Sequence, residues 1–192
     1  MVDPLLIQVP STLETQRLFL RSFSSADAPV LHEALVESIQ DLRAQLWFIP
    51  WVSEEQTLQS AEVRCRKAQA SFLLRTDLPY LAFEKTSGRL VASVGLHRTN
   101  WDLPKTEIGY WSRTGETGKG YVSEGVCALT EWALKGLGAK RVELVTDELN
   151  KSSRAVAERC GFTLEGILRN VQMAPSGELR SSCVYAKFPA AA

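Results

Sequence analysis

Neither sign of charge is in excess in this sequence of 192 residues, because 22 Lys and Arg balance 22 Asp and Glu. A protein whose main task is to grip nucleic acid needs concentrated basic side chains to neutralise phosphates, and no run here supplies them. No stretch approaches the roughly 20 apolar residues of a membrane-spanning helix. Residues 1–4 lack a basic region followed by an apolar core, so no signal peptide is expected. The sequence therefore predicts neither nucleic-acid nor membrane partners.

Cysteine is also scarce, and its four copies are far apart. They are Cys65, Cys127, Cys160 and Cys183. No two of them form a CxxC pair, and both histidines lie far from all four, so no metal site is expected. Widely spaced cysteines within apolar stretches are typical of reduced, buried thiols, which predicts a cytoplasmic protein.

What the sequence does contain is typical of a folded domain. Hydrophobic residues make up 45% and charged residues 23%, which excludes a fully disordered chain. The length predicts one domain, residues 1–192, without internal repeats or linkers.

Periodicity and capping signals predict a mixed α/β order: strand, two helices, three strands, helix, strand, helix, two strands. The predicted strands are 14–23, 80–85, 89–96, 105–113, 141–146, 162–173 and 179–188. The first helix follows a capping signature at 24–27. The second is expected to open at a capping box of Ser53 and Gln56 and to run to about Leu73. The third follows Gly120 and ends at Gly136, and Asn150 caps the last.

A glycine-rich loop at 117–122 joins a predicted strand directly to a predicted helix. Its glycines let successive N–H groups converge, and the helix dipole adds positive potential, so the loop is suited to a diphosphate. A Walker-type loop is excluded, because Gly120 follows Lys119 where that motif has Ser or Thr. A dinucleotide fingerprint fits poorly, since Ser123 stands at the third glycine position. A tight turn without a ligand stays open on the loop alone.

Several segments together resemble the GNAT superfamily of acyl-CoA N-acyltransferases, most closely its RimJ/RimL branch, which acetylates protein N-termini. They are Glu107-Ile108-Gly109-Tyr110-Trp111, Gly118-Lys119-Gly120-Tyr121 with Glu124, Asn150 to Ser153 with Val156, Gly161-Phe162, Glu165-Gly166, residues 14–18 with Leu20-Arg21, and Pro50-Trp51. The resemblance spans about residues 12–188. It implies an α/β fold with a mostly antiparallel central sheet flanked by helices, forming a single N-acetyltransferase domain.

The resemblance also implies an activity. It is acetyl-CoA-dependent transfer of an acetyl group to a primary amine, most of all the N-terminal α-amine of a protein or peptide, by direct attack in a ternary complex. The alternatives are a small amine acceptor (an antibiotic, amino acid or nucleotide-linked amine) or a catalytically weak CoA-binding regulator. Acetyl-CoA is then the cosubstrate, no metal is expected, and a homodimer is compatible with the family.

Cofactor contacts follow from the same resemblance. Backbone N–H groups of the loop would bind the CoA pyrophosphate, and they belong to Gly118, Lys119, Gly120, Tyr121, Val122 and Ser123. Thr117 and Val122 depart from the family pattern. Backbone groups of Trp111, Ser112 and Arg113 would pair with the pantetheine arm, and a free N–H near Tyr110 or Trp111 would stabilise an oxyanion. Asn150 and Ser153 would lie near the cofactor, although Asn150 is equally a helix cap.

The resemblance suggests two catalytic residues and a set of acceptor residues. Ser153 would protonate the departing thiolate, and Glu107 would act as base through water, unless it is only a strand carboxylate paired with a basic neighbour. Gln172 stands where some relatives have a carboxylate, and an amide takes no proton. The helix pair and the final hairpin would wall the acceptor groove. Its expected residues are Trp47, Trp51 and Gln172, with Phe48 and Trp101 as further apolar surface. The alternative for the run 46–51 is that it simply belongs to the core beneath a loop.

Overall fold

The computed structural model describes residues 3–190, so the first two and last two residues of the predicted domain lie outside the described part. Eight strands and five α-helices follow one another along it. The elements are β1 Thr12–Glu14, β2 Leu18–Ser22, α1 Ala28–Gln45, α2 Pro50–Ser53, α3 Leu58–Leu73, β3 Leu78–Glu84, β4 Leu90–Asn100, β5 Lys105–Ser112, α4 Tyr121–Lys135, β6 Arg141–Asp147, α5 Lys151–Arg159, β7 Thr163–Met173 and β8 Leu179–Lys187. Short 3-10 helices occupy Pro4–Leu6, Ser25–Asp27 and Thr114–Glu116.

The strands form one sheet in the order β1-β2-β3-β4-β5-β6-β8-β7. Every neighbouring pair is antiparallel except β5 and β6, which run parallel. The parallel ladder joins Lys105–Glu107 to residues 141–143 and goes no further, although both strands continue. The two strands therefore separate beyond Glu107, and a wedge opens in the middle of the sheet. The predicted fold class is confirmed.

Helices cover both faces of the sheet. One apolar cluster packs α4 and α5 against the sheet through residues such as Val126, Leu129 and Ala157, which are all fully buried. Gly125 sets the approach of α4, because a Cβ there would lie 3.1 Å from a methyl carbon of Val94. A second cluster packs α1 and α3 on the opposite side and includes the fully buried Leu35. No helix within residues 3–190 is long and apolar enough to span a membrane.

Two predicted boundaries are wrong. The predicted strand 14–23 is two strands, because the chain turns at residues 15–17. The second long helix begins at Leu58 rather than after Ser53, since Thr57 and Ser60 form the reciprocal capping box, with N···O distances of 3.0 and 2.9 Å. Ser53 instead ends α2, which Pro50 starts as a separate turn, and its hydroxyl donates to the Pro50 carbonyl.

The expectation of four reduced thiols is also wrong. Cys127 and Cys160 form a disulfide, whereas Cys65 and Cys183 are free and buried. Sequence separation gave no sign of the pairing. Packing of α4 against the end of α5 brings the two Cα atoms to 5.1 Å, within the range that a disulfide bridges. The cytoplasmic expectation, which relied on reduced thiols, loses that support.

Candidate active site

A cleft of about 1280 Å³ passes through the wedge between β5 and β6. It connects the glycine-rich loop on the α4 side of the sheet with the space beneath α1 and α3 on the other. The lining includes His97, Glu107, Gly109, Tyr110, Trp111, Ser112, residues 117–123 and 144–147, Asn150, Ser153, Phe48, Trp51, Arg64 and Lys67. Most of the residues that the sequence analysis selected for function therefore meet at one place.

The exposed edge of β5 offers backbone groups to the wedge. Arg113 N–H donates to the Val91 carbonyl at 2.9 Å, and in an antiparallel ladder such pairs alternate along the strand. The same alternation turns the backbone groups of Trp111 toward β4 and those of Tyr110 and Ser112 toward the wedge. Of the two N–H groups predicted as oxyanion donors, those of Tyr110 and Trp111, only that of Tyr110 faces the wedge.

The expected backbone role of Arg113 is wrong. Its N–H and carbonyl are both used within the protein, and the alternation withdraws the backbone of Trp111 as well. The Arg113 side chain is only 3% exposed and is held by Glu33 and Glu37 of α1. Its hydrogen bond keeps the pKa of Glu37 below the usual range. Arg113 therefore links α1 to the end of β5, just before the glycine-rich loop.

The glycine-rich loop has the shape expected of an anion cradle. Gly118 and Gly120 have φ values of 76° and 82°, a left-handed conformation that glycine adopts without strain. Gly120 is the N-cap of α4, and its carbonyl accepts the first helical bond from Glu124 N–H. The N–H groups of residues 121–123 consequently have no acceptor within the helix and carry the positive end of its dipole. The loop can bind an anion through backbone alone.

A pair that the sequence analysis missed holds this loop in place. The Glu124 carboxylate accepts from the Arg17 backbone N–H at 2.8 Å and from its Nε at 2.6 Å. Another guanidinium nitrogen of Arg17 donates to the Lys119 carbonyl at 2.9 Å, and the group lies 4.7 Å from the centre of the Tyr121 ring. Burial raises the pKa of Glu124, but hydrogen bonds from Thr15 and Arg17 outweigh it and lower the pKa overall. Arg17 lies in a segment that carried the family resemblance, which was the available signal.

The opposite wall of the wedge carries a pair of hydroxyl groups. Asn150 caps α5 as predicted, accepting from Ser153 N–H at 3.0 Å. Ser153 Oγ lies 2.8 Å from the Tyr110 phenol oxygen. Burial raises the pKa of Tyr110 to about 12, against a small opposing effect of the Ser153 hydrogen bond. The phenol is therefore protonated at neutral pH and available as a proton source.

On the acceptor side, Gly95 and Gly109 face each other on neighbouring strands, and the His97 ring lies in the space that their missing side chains leave. A Cβ on Gly95 would lie 2.9 Å from His97 Nε2, and one on Gly109 would lie 3.0 Å from its Cδ2. The other ring nitrogen, Nδ1, lies 3.3 Å from an Asp77 carboxylate oxygen. This contact favours the tautomer in which Nε2 is a proton acceptor. His97 was considered in the sequence only as a metal ligand and was missed.

Glu107 lies directly opposite His97 on β5 and is bound at both oxygens by Arg98, with one N···O distance of 2.8 Å. This is the basic neighbour that the sequence analysis weighed against a catalytic role. Both oxygens of Glu107 are thus engaged by a guanidinium group that an incoming proton donor would have to displace. The arrangement therefore favours His97 over Glu107 as base.

The carboxylate of Asp147 also lines the cleft, at the end of β6. One oxygen accepts from Arg180 and from Leu149 N–H, both at 2.7 Å. The other oxygen is buried without a hydrogen-bond partner among the described residues. A buried acceptor without a donor is costly, so this oxygen suits a ligand that brings N–H groups.

The expected acceptor residues are only partly brought together. Trp51 and Phe48 line the cleft, whereas Trp47 packs edge-on against Phe48, with ring centres 5.6 Å apart. Trp101 donates its indole N–H to the Arg75 carbonyl outside the cleft. Gln172 lies far along β7, and no described residue of β7 or β8 lines the cleft. The expectation that the final hairpin and Gln172 wall this groove is therefore wrong for the single chain.

Known proteins match this chain over most of its length. The family model described as an acetyltransferase (GNAT) domain matches residues 17–163. YdaF of Bacillus subtilis (strain 168), named provisionally a ribosomal N-acetyltransferase, is 28% identical over 155 residues, covering 81% of this chain and 82% of that protein. The microcin C7 self-immunity acetyltransferase MccE, solved with acetyl-CoA and AMP, superposes with a TM-score of 0.82 at 22% identity, covering 94% of this chain and 97% of that one. RimL, the ribosomal L7/L12 α-N-protein acetyltransferase solved with CoA, has a TM-score of 0.83 at 20% identity with the same coverage.

Proposed function

Because this chain belongs to the GNAT acetyltransferase family, we propose that it transfers the acetyl group of acetyl-CoA to the N-terminal α-amine of a protein or peptide. The observation that carries the proposal is the continuity of the cleft from the glycine-rich loop, through the open edge of β5, to the Tyr110–Ser153 pair and His97. The acceptor class is supported by the names of YdaF and RimL, which describe ribosomal-protein acetylation.

The residues present fit a CoA thioester. Acetyl-CoA supplies an activated acetyl group on sulfur. The loop and the first turn of α4 are suited to bind the diphosphate of CoA through converging N–H groups. The backbone groups of Ser112 are suited to pair with an amide of the extended pantetheine arm, as a neighbouring strand would. Tyr110 N–H faces the wedge, where it donates to the oxygen on which charge develops.

Starting from the ammonium form, two protons must leave the nitrogen, one before attack and one after the C–N bond forms, and one proton must reach sulfur. The buried oxygen of Asp147 accepts an N–H of the incoming ammonium group. His97 Nε2 takes the proton, directly or through one water, before the nitrogen attacks the carbonyl carbon. As the C–N bond forms and the C–S bond breaks, Ser153 donates a proton to the thiolate and takes one from Tyr110. The second proton on the nitrogen then passes to the Tyr110 oxygen, directly or through water, which restores the pair, and the proton on His97 is released to solvent. No residue of the chain becomes acylated during these reaction steps.

We propose that the active protein is a homodimer formed through β7. This strand lies at the edge of the sheet and exposes five large apolar side chains. They are Leu164, Ile167, Leu168, Val171 and Met173. A second copy would cover them and complete the edge. Light scattering after gel filtration is expected to give twice the chain mass for the wild type and the chain mass for Leu168→Lys, while a monomeric wild type would contradict the proposal.

An acceptor panel with thiol release as the readout tests the activity. Short peptides with free N-termini are expected to accelerate CoA release, and the same peptides with acetylated N-termini are not. Polyamines, free amino acids and aminoglycosides serve as competing classes. Acceleration by those small amines alone would overturn the peptide acceptor, and no acceleration by any amine would favour a CoA-binding regulator.

A further inference from the structure

One arginine in the acceptor half of the cleft has no hydrogen-bond or ion-pair partner among residues 3–190. Arg64 of α3 lines the cleft, and its guanidinium carbon lies 4.0 Å from the centre of the Trp51 ring. Its Nε is buried and makes no hydrogen bond, and no ion pair or hydrogen bond from any of its nitrogens to the described residues is observed. The guanidinium group thus lies over the face of the Trp51 ring, and its terminal N–H groups remain available to a ligand.

The Arg64 side chain is half-buried, and a charged group with a nitrogen shielded from water usually has a partner for it. Burial lowers the pKa of Arg64, although attraction from Glu54, which lies beyond ion-pair distance, opposes the effect. Buried cations are normally paired, because removing them from water is costly. Other arginines of this chain follow that rule: Arg113 binds two glutamates and Arg141 binds two more.

A second basic side chain lies on the same face of α3. Lys67 follows Arg64 by one turn, lines the same cleft and forms no ion pair with the described residues. Arg66, by contrast, points outward from the cleft and pairs with Glu62 at 2.7 Å. In a chain with zero net charge, two unpaired cations side by side in a cleft mark a place for negative charge.

We propose that Arg64, stacked on Trp51, and Lys67 bind an anionic side chain of the acceptor. The inference depends on the proposed function, since it concerns the peptide whose α-amine reaches His97. The planar guanidinium edge matches a carboxylate or a phosphate through two parallel hydrogen bonds, and Lys67 adds a point charge. The preferred acceptors are therefore peptides with an acidic residue within the first few positions after the N-terminal residue.

Peptide sets that differ in one side chain test this site. In each set, position 2, 3 or 4 carries Asp, Asn or phosphoserine, and kcat/KM is measured from thiol release. Asp and phosphoserine peptides are expected to exceed the Asn peptide by about tenfold at one of these positions, the factor that one charge-assisted hydrogen bond supplies. A larger gain for phosphoserine than for Asp would assign the site to phosphate, and the reverse to carboxylate.

Substitutions on α3 test whether Arg64 causes the preference for acidic peptides. Arg64→Gln is expected to bring the ratio of kcat/KM between the Asp and Asn peptides to about one, and Arg64→Lys is expected to restore part of that ratio. Arg66→Gln is the matched control on the same helix and should retain the full preference. Equal rates for Asp and Asn peptides with the wild type, or a preference that survives Arg64→Gln, would overturn the proposal.

The proposed acetyltransferase activity and the proposed anion site can be tested independently of each other. If no peptide is acetylated, the proposed function fails, and calorimetric titration of the CoA-bound protein with the same peptides still tests the site. Tighter binding of the Asp peptide to the wild type, lost in Arg64→Gln, would support the anion site on its own. Equal affinity for Asp and Asn peptides would reject it.

Discussion

The hydroxyl oxygens of Tyr110 and Ser153 lie 2.8 Å apart, on opposite sides of the wedge in the sheet. Tyr110 belongs to a strand and Ser153 to the first turn of a helix, so the pair exists only because β5 and β6 separate. The raised pKa of the phenol keeps a proton available at neutral pH. In the proposed mechanism, this pair supplies the proton that the departing thiolate requires.

Ser153→Ala is expected to lower kcat by about 10²-fold, because general-acid catalysis contributes at least this factor, while the affinity for CoA is retained. Tyr110→Phe should lower kcat less, since Ser153 keeps its own proton. Steady-state kinetics and CoA titration measure both effects. Ser152→Ala is the control, as its hydroxyl is donated to the Asn150 side chain. Unchanged turnover in Ser153→Ala would remove the serine from the mechanism.

Arg17→Ala is expected to raise the KM for acetyl-CoA about tenfold with a smaller change in kcat, because the loop loses one charge-assisted hydrogen bond at the Lys119 carbonyl. Lys85→Ala removes an exposed ion pair with Glu14 that does not touch the loop, and it serves as the control. A change in kcat with no change in KM would show that Arg17 does not act through the loop.

Acid should loosen the same loop. The pKa of Glu124 is lower in the folded protein than in the unfolded chain, so its stabilising effect is complete above the unfolded pKa of about 4.3 and is lost as the pH falls further. Wild-type affinity for CoA is expected to decline below about pH 4 more steeply than that of Glu124→Gln, which already lacks the charge. Parallel curves for the two proteins would contradict the role of this carboxylate.

His97→Gln is expected to lower kcat/KM by about 10²-fold, because the glutamine amide cannot accept a proton. Asp77→Asn should lower kcat/KM less, by releasing the ring nitrogen that the carboxylate orients. Glu107→Gln is the discriminating comparison. A large loss of kcat/KM in Glu107→Gln together with wild-type turnover in His97→Gln would assign the base to Glu107.

Thiol titration tests the disulfide. Denatured protein prepared under non-reducing conditions is expected to expose two thiols, from Cys65 and Cys183, and four after reduction. Cys127→Ser should lower the free energy of unfolding by about 3–4 kcal/mol for a loop of this length. Four thiols before reduction would restore the original expectation of reduced cysteines.

Much of this fold was predictable because its signals are local. Apolar spacing in α4, the Asn150 cap and the turn before β8 each act within a few residues, and all were confirmed. The second helix start was misplaced for the same reason. Ser53 and Gln56 satisfy a capping pattern, and only the competing turn begun by Pro50 moves the true cap to Thr57.

The site was less predictable where function depends on distant contacts. The Arg17–Glu124 pair joins residues more than a hundred positions apart, and the disulfide depends on how two helices pack. The hollow beneath His97 requires Gly95 and Gly109 to face each other across two strands. The backbone of Arg113 was assigned to the cofactor because strand alternation is not visible until the register is known.

The site that the Results describe is proposed to acetylate the α-amine of a peptide. Tandem mass spectrometry of a peptide with both a free N-terminus and an internal lysine, incubated with acetyl-CoA and the protein, is the sharpest test of this activity. We expect one added acetyl group, located on the N-terminal residue and absent when the N-terminus is blocked. An acetyl group on the lysine alone, or no modified peptide while a small amine is acetylated, would contradict it.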